Sequence, residues 1–215
     1  MRVLITMGPT REPIDSVRFI SNASSGKMGL ALAKEGKKRG HEVVVVSGPV
    51  GVEIPDEIKV INVKTAEEMV NSTLGELRGG YDLMISAAAI ADYSPEELRE
   101  GKMDSSKEVV LRLKPTPKLT RLAREKFPGL FIVAFKAEVN LPEEELLERA
   151  GKKLTEENLN LVVANDIGRN IFGSEKTEVW ILDGKEVRHV PTADKASIAG
   201  DIWNAIEAAM PFFTH

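Results

Sequence analysis

The chain has 215 residues, 42% of them hydrophobic, and a formal net charge of −4 at pH 7. That length suits one domain with a substantial core, and the acidic balance argues against a nucleic-acid partner, which requires basic excess. Cysteine is absent and histidine is limited to His41, His189 and His215, which excludes disulfides, thiolate metal sites and a cysteine nucleophile and disfavours a histidine-rich metal centre.

Val3 to Thr6 is short, apolar and partly β-branched, and predicts a buried strand. It runs into Gly8-Pro9-Thr10-Arg11-Glu12-Pro13-Ile14-Asp15, then Val17 to Ser21, then Asn22-Ala23-Ser24-Ser25-Gly26-Lys27-Met28-Gly29. A strand therefore feeds a long polar loop, and the loop feeds a helix start. Small residues let backbone N–H groups approach an anion, and the helix dipole favours negative charge there, so this loop is expected to receive phosphates. The helix is expected from Gly26 to Arg39, with Lys34, Lys37 and Lys38 towards its cation-favouring end and Gly40 closing it. His41 follows that glycine and is expected to be exposed. Glu42 to Ser47 is Val-rich, as in a parallel strand covered on both faces.

Thr65-Ala66-Glu67-Glu68 is a capping-box pattern that opens a helix to about Arg78. Tyr81 to Ala87 reads as a third buried strand. It continues into Ala87-Ala88-Ala89-Ile90-Ala91-Asp92-Tyr93-Ser94-Pro95, where small residues leave room at a strand end. Glu96 to Lys107 is polar, has no apolar period and reads as an exposed, mobile loop. Val109 to Leu113 alternates like a strand, Pro115-Thr116-Pro117 breaks it, and a helix follows to about Phe127. Leu130 to Ala137 predicts a buried strand, Pro142 to Glu157 a charged helix with Pro in its first turn, and Leu161 to Ala164 a short strand ending in Asn165-Asp166. Thr177 to Leu182 and Glu186 to Val190 flank Asp183-Gly184, a type I′ hairpin signal. Thr192 to Met210 predicts a closing helix. The tail Pro211-Phe212-Phe213-Thr214-His215 carries two aromatics that need a covering surface.

Alternating strands and helices predict a three-layer α/β/α, Rossmann-like, mostly parallel sheet with right-handed crossovers and a late antiparallel hairpin. It is read as one domain, 1–215, with a flap loop at about 94–108. No apolar run approaches the roughly 18 residues of a membrane span, and no signal peptide precedes the first strand, so the expected location is cytoplasmic, with no membrane partner. Ligands in such sheets bind beyond the C-terminal strand ends, where the small and polar stretches fall. A P-loop does not fit: Ser21 stands where its first glycine belongs, and Met28 follows Gly26-Lys27 in place of Ser or Thr. A dinucleotide loop does not fit either, since only Gly8 follows the first strand and the second ends Ser47-Gly48-Pro49, without an acid for a ribose. Those departures weigh against a nicotinamide-dependent oxidoreductase, which remains the alternative beside a non-catalytic nucleotide-binding module.

The opening stretch, with Arg18, Asn22 and Ser24 to Gly29, resembles the signature of phosphopantothenoylcysteine synthetase. The resemblance continues through Ala87 to Tyr93, Lys102-Met103, Leu113 to Pro117, Ala134 to Glu138 and Val163 to Asp166, in the family's order and over nearly the whole chain. It implies the ligase half of a coenzyme A pathway protein, standing alone without its decarboxylase and without flavin. In the implied reaction a nucleoside triphosphate, CTP rather than ATP in bacterial relatives, activates the carboxylate of 4′-phosphopantothenate as an acyl-nucleotide. The amine of L-cysteine then displaces the nucleotide. The nucleotide is the acyl carrier, which is consistent with a chain that offers no obvious protein nucleophile.

Carried over residue by residue, the resemblance implies two catalytic groups, Asn22 at the acyl centre and Lys102 on the flap. Gly8, Ser24, Ser25, Gly26 and Lys27 would serve the nucleotide's phosphates. Asp92 would bind its base or ribose, Phe135 and Lys153 would lie near the nucleotide, Asn165 would read the base or hold the flap, and Ala88 and Ala89 would lie beside the substrate. Arg18 would grip the substrate phosphate, as a guanidinium fork suits phosphate, at a site that borrows groups from a second subunit and so implies a homodimer. Mg²⁺ is expected with the triphosphate, its protein ligands unassigned. Asp104 and Glu157 stand where relatives carry lysines, and Lys153 with Glu157 has the i,i+4 spacing of a surface ion pair.

Overall fold

The computed structural model describes residues 1–104, 106–168 and 175–210; the aromatic tail at 211–215 lies outside them. In chain order the elements are β1 (Arg2–Met7), β2 (Arg11–Pro13), β3 (Phe19–Ser21), α1 (Lys27–Lys38), β4 (Glu42–Ser47), β5 (Lys59–Asn62), α2 (Ala66–Leu77), β6 (Leu83–Ser86), β7 (Tyr93–Pro95), β8 (Leu113–Pro115), α3 (Leu119–Lys126), β9 (Phe131–Glu138), α4 (Glu143–Glu156), β10 (Leu161–Asp166), β11 (Lys176–Leu182), β12 (Val187–Asp194) and α5 (Lys195–Ala209).

Eight strands form the main sheet in the order β12-β11-β10-β9-β6-β1-β4-β5. The strands from β5 to β10 pair in parallel, whereas β11 and β12 are antiparallel. Ile5 of β1 sits in register with Val45 on one side and Ile85 on the other. Alternate side chains of these apolar strands enter two separate cores. Val3, Ile5 and Met7 pack with Leu32 of α1 and with Ile198, Ile202 and Trp203 of α5. Leu4, Val44 and Val46 pack with Met69 of α2, Leu119 of α3 and Leu146 and Leu154 of α4. The architecture is thus the expected three-layer, mostly parallel one. No helix among the described residues is long and apolar enough to cross a membrane.

The chain leaves β1 for β4 and β5 on one side, then returns to β6 on the other. Connections that diverge from neighbouring strands open a crevice at their C-terminal ends, and this one falls between β1 and β6.

Several local expectations need correction. The polar loop after β1 contains a two-stranded sheet, β2 with β3, and the predicted strand at Val109 to Leu113 is displaced to Leu113–Pro115, pairing with β7. The half-buried strand β5 was not anticipated, being only four residues with polar ends. Asp183-Gly184 does not form a type I′ turn. Leu182 pairs with Val187, Gly184 but not Asp183 has positive φ, and Asp183 Oδ1 accepts from the Lys185 and Glu186 N–H groups. That local carboxylate hydrogen bonding closes a four-residue loop instead. The closing helix starts at Lys195, capped by Asp194, since Thr192 still belongs to β12. His41 is buried rather than exposed, its ring centroid 4.9 Å from that of Trp203.

Candidate active site

Backbone stitching places the post-β1 loop against the post-β6 segment. Ala87 N–H donates to Thr6 O, Ala89 N–H to Gly8 O and Ala91 N–H to Thr10 Oγ1. Thr116 Oγ1 in turn donates to Ala91 O at 2.5 Å. The alanines keep this segment thin, so a cavity of about 810 Å³ remains at the C-terminal ends of β6, β9 and β10, beside the start of α1. Such a volume suits a drug-sized or nucleotide-sized molecule.

Asn22, Ser24, Ser25, Gly26, Lys27, Ala88, Ala89, Asp92, Phe135, Lys153 and Asn165 all line this cavity. The structure thus brings these eleven residues named from the sequence to one cavity. Gly26 is the N-cap of α1 at φ +76°, and a Cβ there would stand 2.5 Å from Val50 Cγ1, so glycine is required twice over. The Ser24 hydroxyl accepts from Gly26 N–H at 3.3 Å. Asn22 Nδ2 donates to Ala89 O and Ile90 O, 3.2 Å each, which fixes its amide plane across the crevice. At one end the cavity is therefore a helix N-terminus with hydroxyls, an arrangement that favours anions.

Cations collect at that same end. Lys27 is ion-paired with Glu175, and Lys176 and Lys195 join it in the cavity wall. Burial, with Lys27 nearby, pushes the Lys195 ammonium below its ordinary pKa. The sequence reading did not single out Lys176 or Lys195. They arrive from β11 and α5, at the other end of the chain, and carry no local motif. At the opposite end Lys153 is 2.9 and 3.0 Å from the two Glu157 carboxylate oxygens. The i,i+4 pair thus forms, and it lies in the wall rather than apart from it. Thr120 also donates to Glu157, tying α3 to α4. Asp92 is exposed and ion-paired with Lys118. Burial pushes the Glu138 carboxyl up, but Lys136 and Arg149 outweigh it and hold it below its usual range.

Gly8, Arg18 and Lys102 do not line the cavity. Gly8 lies against Gly48 and Val50, where a Cβ would meet Val50 Cγ1 at 2.6 Å. Arg18 Nη1 lies 3.0 Å from Asp15 Oδ2 and 3.3 Å from Met103 O. Lys102 is exposed in the 96–112 connection between β7 and β8. Among the described residues no cluster of three or more His, Asp or Glu could hold a metal ion.

The family profile for the DNA/pantothenate metabolism flavoprotein C-terminal domain matches residues 1–210. The coenzyme A biosynthesis bifunctional protein CoaBC of Thermococcus kodakarensis is 42% identical over 208 residues, 96% of this chain and 51% of that protein. Its namesake in Methanocaldococcus jannaschii is 44% identical over 194 residues, 90% of this chain and 47% of that protein. The chain spans about half the length of these curated relatives. Among solved structures, the C-terminal domain of a CoaBC protein superposes with a TM-score of 0.81 at 34% identity, covering 96% of this chain and 94% of that one.

Proposed function

We propose a function that proceeds from one fact: the chain belongs to the DNA/pantothenate metabolism flavoprotein C-terminal domain family. On this reading its 215 residues act as one nucleotide-binding ligase domain in the cytoplasm, a phosphopantothenate–cysteine ligase of coenzyme A biosynthesis. The observation that carries the reading is the cavity at the C-terminal strand ends, lined by Asn22 and the α1 N-terminus together with half-buried Phe135 and Asn165.

A carboxylate oxygen of 4′-phosphopantothenate attacks the α-phosphorus of the nucleoside triphosphate, CTP in preference to ATP. The P–O bond to pyrophosphate breaks, and pyrophosphate leaves. The cysteine amine then attacks the acyl carbon, loses a proton and expels the nucleoside monophosphate. The protein's task is to position two anionic reactants and to balance developing charge. Ser24, Ser25, Gly26 and Lys27 hold phosphate oxygens at the helix start, and Lys176 and Lys195 add charge at the same end. Asn22, pinned by two carbonyls, presents its amide beside the acyl centre. Phe135, Lys153, Asn165 and Asp92 flank the base and ribose. Mg²⁺ would accompany the triphosphate and neutralise part of its charge, drawing most of its coordination from phosphate oxygens and water.

Arg18 and Lys102 act from outside the cavity, Arg18 on the substrate phosphate and Lys102 by closing the 96–112 flap. A second subunit completes that region. Val17, Phe19, Tyr93, Leu98, Val110 and Leu113 are exposed apolar side chains, all on the β2/β3 and β7/β8 sheets and their connections. So dense an apolar platform fits a homodimer interface. The test mixes protein, Mg²⁺, 4′-phosphopantothenate and L-cysteine with CTP or ATP in parallel. Pyrophosphate and the cysteine adduct are expected, faster with CTP. Neither product with either nucleotide would overturn the ligase reading.

A further inference from the structure

Asp15 is nearly inaccessible to solvent, 3% exposed, in a loop whose neighbours Ser16 and Val17 are exposed. Its two carboxylate oxygens do different work. Oδ1 accepts from Val17 N–H at 2.8 Å and Arg18 N–H at 2.7 Å, which shapes the local turn. A turn of that kind needs one side-chain oxygen, and asparagine supplies it as well as aspartate does. Oδ2 is surplus to the turn. It accepts from Arg18 Nη1 at 3.0 Å and from Met103 N–H at 3.1 Å, across 88 residues of sequence.

The other half of the Met103 peptide environment is also held, because Arg18 Nη1 donates to Met103 O at 3.3 Å. Two further bonds dock the same strip. Arg99 N–H donates to Ile14 O at 3.1 Å, and Ser16 N–H donates to Gly101 O at 3.2 Å. Residues 99–103 therefore run alongside residues 14–18, and Lys102 stands between two tethered neighbours. The Met103, Val17 and Arg18 N–H groups hold the Asp15 carboxyl down at about 2, so it is charged at neutral pH.

We propose that Asp15 is a positioning residue whose second oxygen sets the Arg18 guanidinium and the flap backbone at Met103 in one frame, so that the substrate-phosphate grip and the flap lysine are placed together. This rests on the roles given to Arg18 and Lys102 above. It goes beyond them by making the two sites one device: the Asp15 carboxylate bonds both the guanidinium and the flap backbone, beside the three bonds that dock the same strip.

Asp15→Asn is the selective test. Its Oδ1 keeps both turn bonds, while an NH₂ replaces Oδ2 and meets two donors, Met103 N–H and Arg18 Nη1. The variant is expected to give a parent-like circular dichroism spectrum. Trypsin cleavage after Lys102 is expected to rise roughly ten-fold, the equivalent of one lost charged hydrogen bond, with cleavage after Lys34 unchanged. In the ligase assay the phosphopantothenate KM should rise and kcat should fall, a joint change that loss of Arg18 alone would not give. Parent-rate cleavage at Lys102, uniform loosening at all lysines, or an unfolded variant would each overturn the proposal. In the last case the second oxygen would be serving the fold. The cleavage comparison needs no substrate, so a failure of the ligase reading is separately visible.

Discussion

At the scale of single residues, the site divides into groups the sequence announces and groups it hides. Asn22 and the serines before Gly26 are contiguous, and their order alone locates them at a helix start. Lys195 and Lys176 reach the same end of the cavity only through the return of α5 and β11, and no local pattern marks them. Asn22→Ala removes the amide that Ala89 O and Ile90 O aim. A fall in kcat of about 10²-fold is expected, the size of one preorganised polar group in a dry site; single-turnover pyrophosphate release measures it. Lys102→Gln should slow the same step, roughly 10²-fold, with the circular dichroism spectrum unchanged, whereas Arg18→Ala should chiefly raise the phosphopantothenate KM. His41 shows why a residue after a C-cap glycine cannot be read from sequence: the turn aims it inwards, against Trp203. Burial, opposed in part by Glu207, lowers its pKa from 6.5. The folded state disfavours the imidazolium, so the neutral ring's contribution to stability is complete above about 6.5 and is lost as pH falls below that value. Urea denaturation between pH 7.5 and 5.5 should show a slope with pH, and His41→Leu should flatten it.

At the scale of elements, long apolar strands and the Thr65 capping box were legible because their signals are dense. Thr65 Oγ1 accepts from Glu68 N–H while the Glu68 carboxylate reaches back, as the pattern requires. The three-residue strands β2, β3, β7 and β8 were not legible, since none spans two alternations and three include proline. Helix packing shows how one substitution changes sign with its surroundings. In α1, a Cβ on Gly36 would meet Trp203 Cζ2 at 2.7 Å and Val43 Cγ2 at 3.1 Å. Gly36→Ala gains about 1 kcal/mol of helix propensity but overpacks a rigid indole at a cost of about 1–3 kcal/mol; net destabilisation near 1 kcal/mol is expected. In α2, a Cβ on Gly75 meets nothing within 4 Å, so Gly75→Ala should stabilise by about 0.5–1 kcal/mol. Denaturant midpoints for the pair should move in opposite directions, and parallel shifts would refute the packing account.

At the scale of the whole molecule, fold class followed from alternation; the strand order was not read from it, and the position of the proposed flap was not legible either. It depends on a contact between residues 14–18 and 99–103 that no periodicity encodes. The same region carries the exposed apolar side chains, so the proposed dimer interface and the proposed flap share one surface. Val110→Asp is expected to convert a dimer to a monomer in light scattering without altering the circular dichroism spectrum. A monomeric parent protein would remove the dimer from the account. The two tryptophans, finally, give the two cores separate optical addresses. Trp203 lies with α1 and α5 on one face of the sheet, and Trp180 lies with α2 and α4 on the other. Both are buried and neither lines the cavity. Trp180→Phe and Trp203→Phe would each leave a fluorophore reporting one layer alone, and coincident melting of the two emissions would show that both cores give way in a single cooperative step.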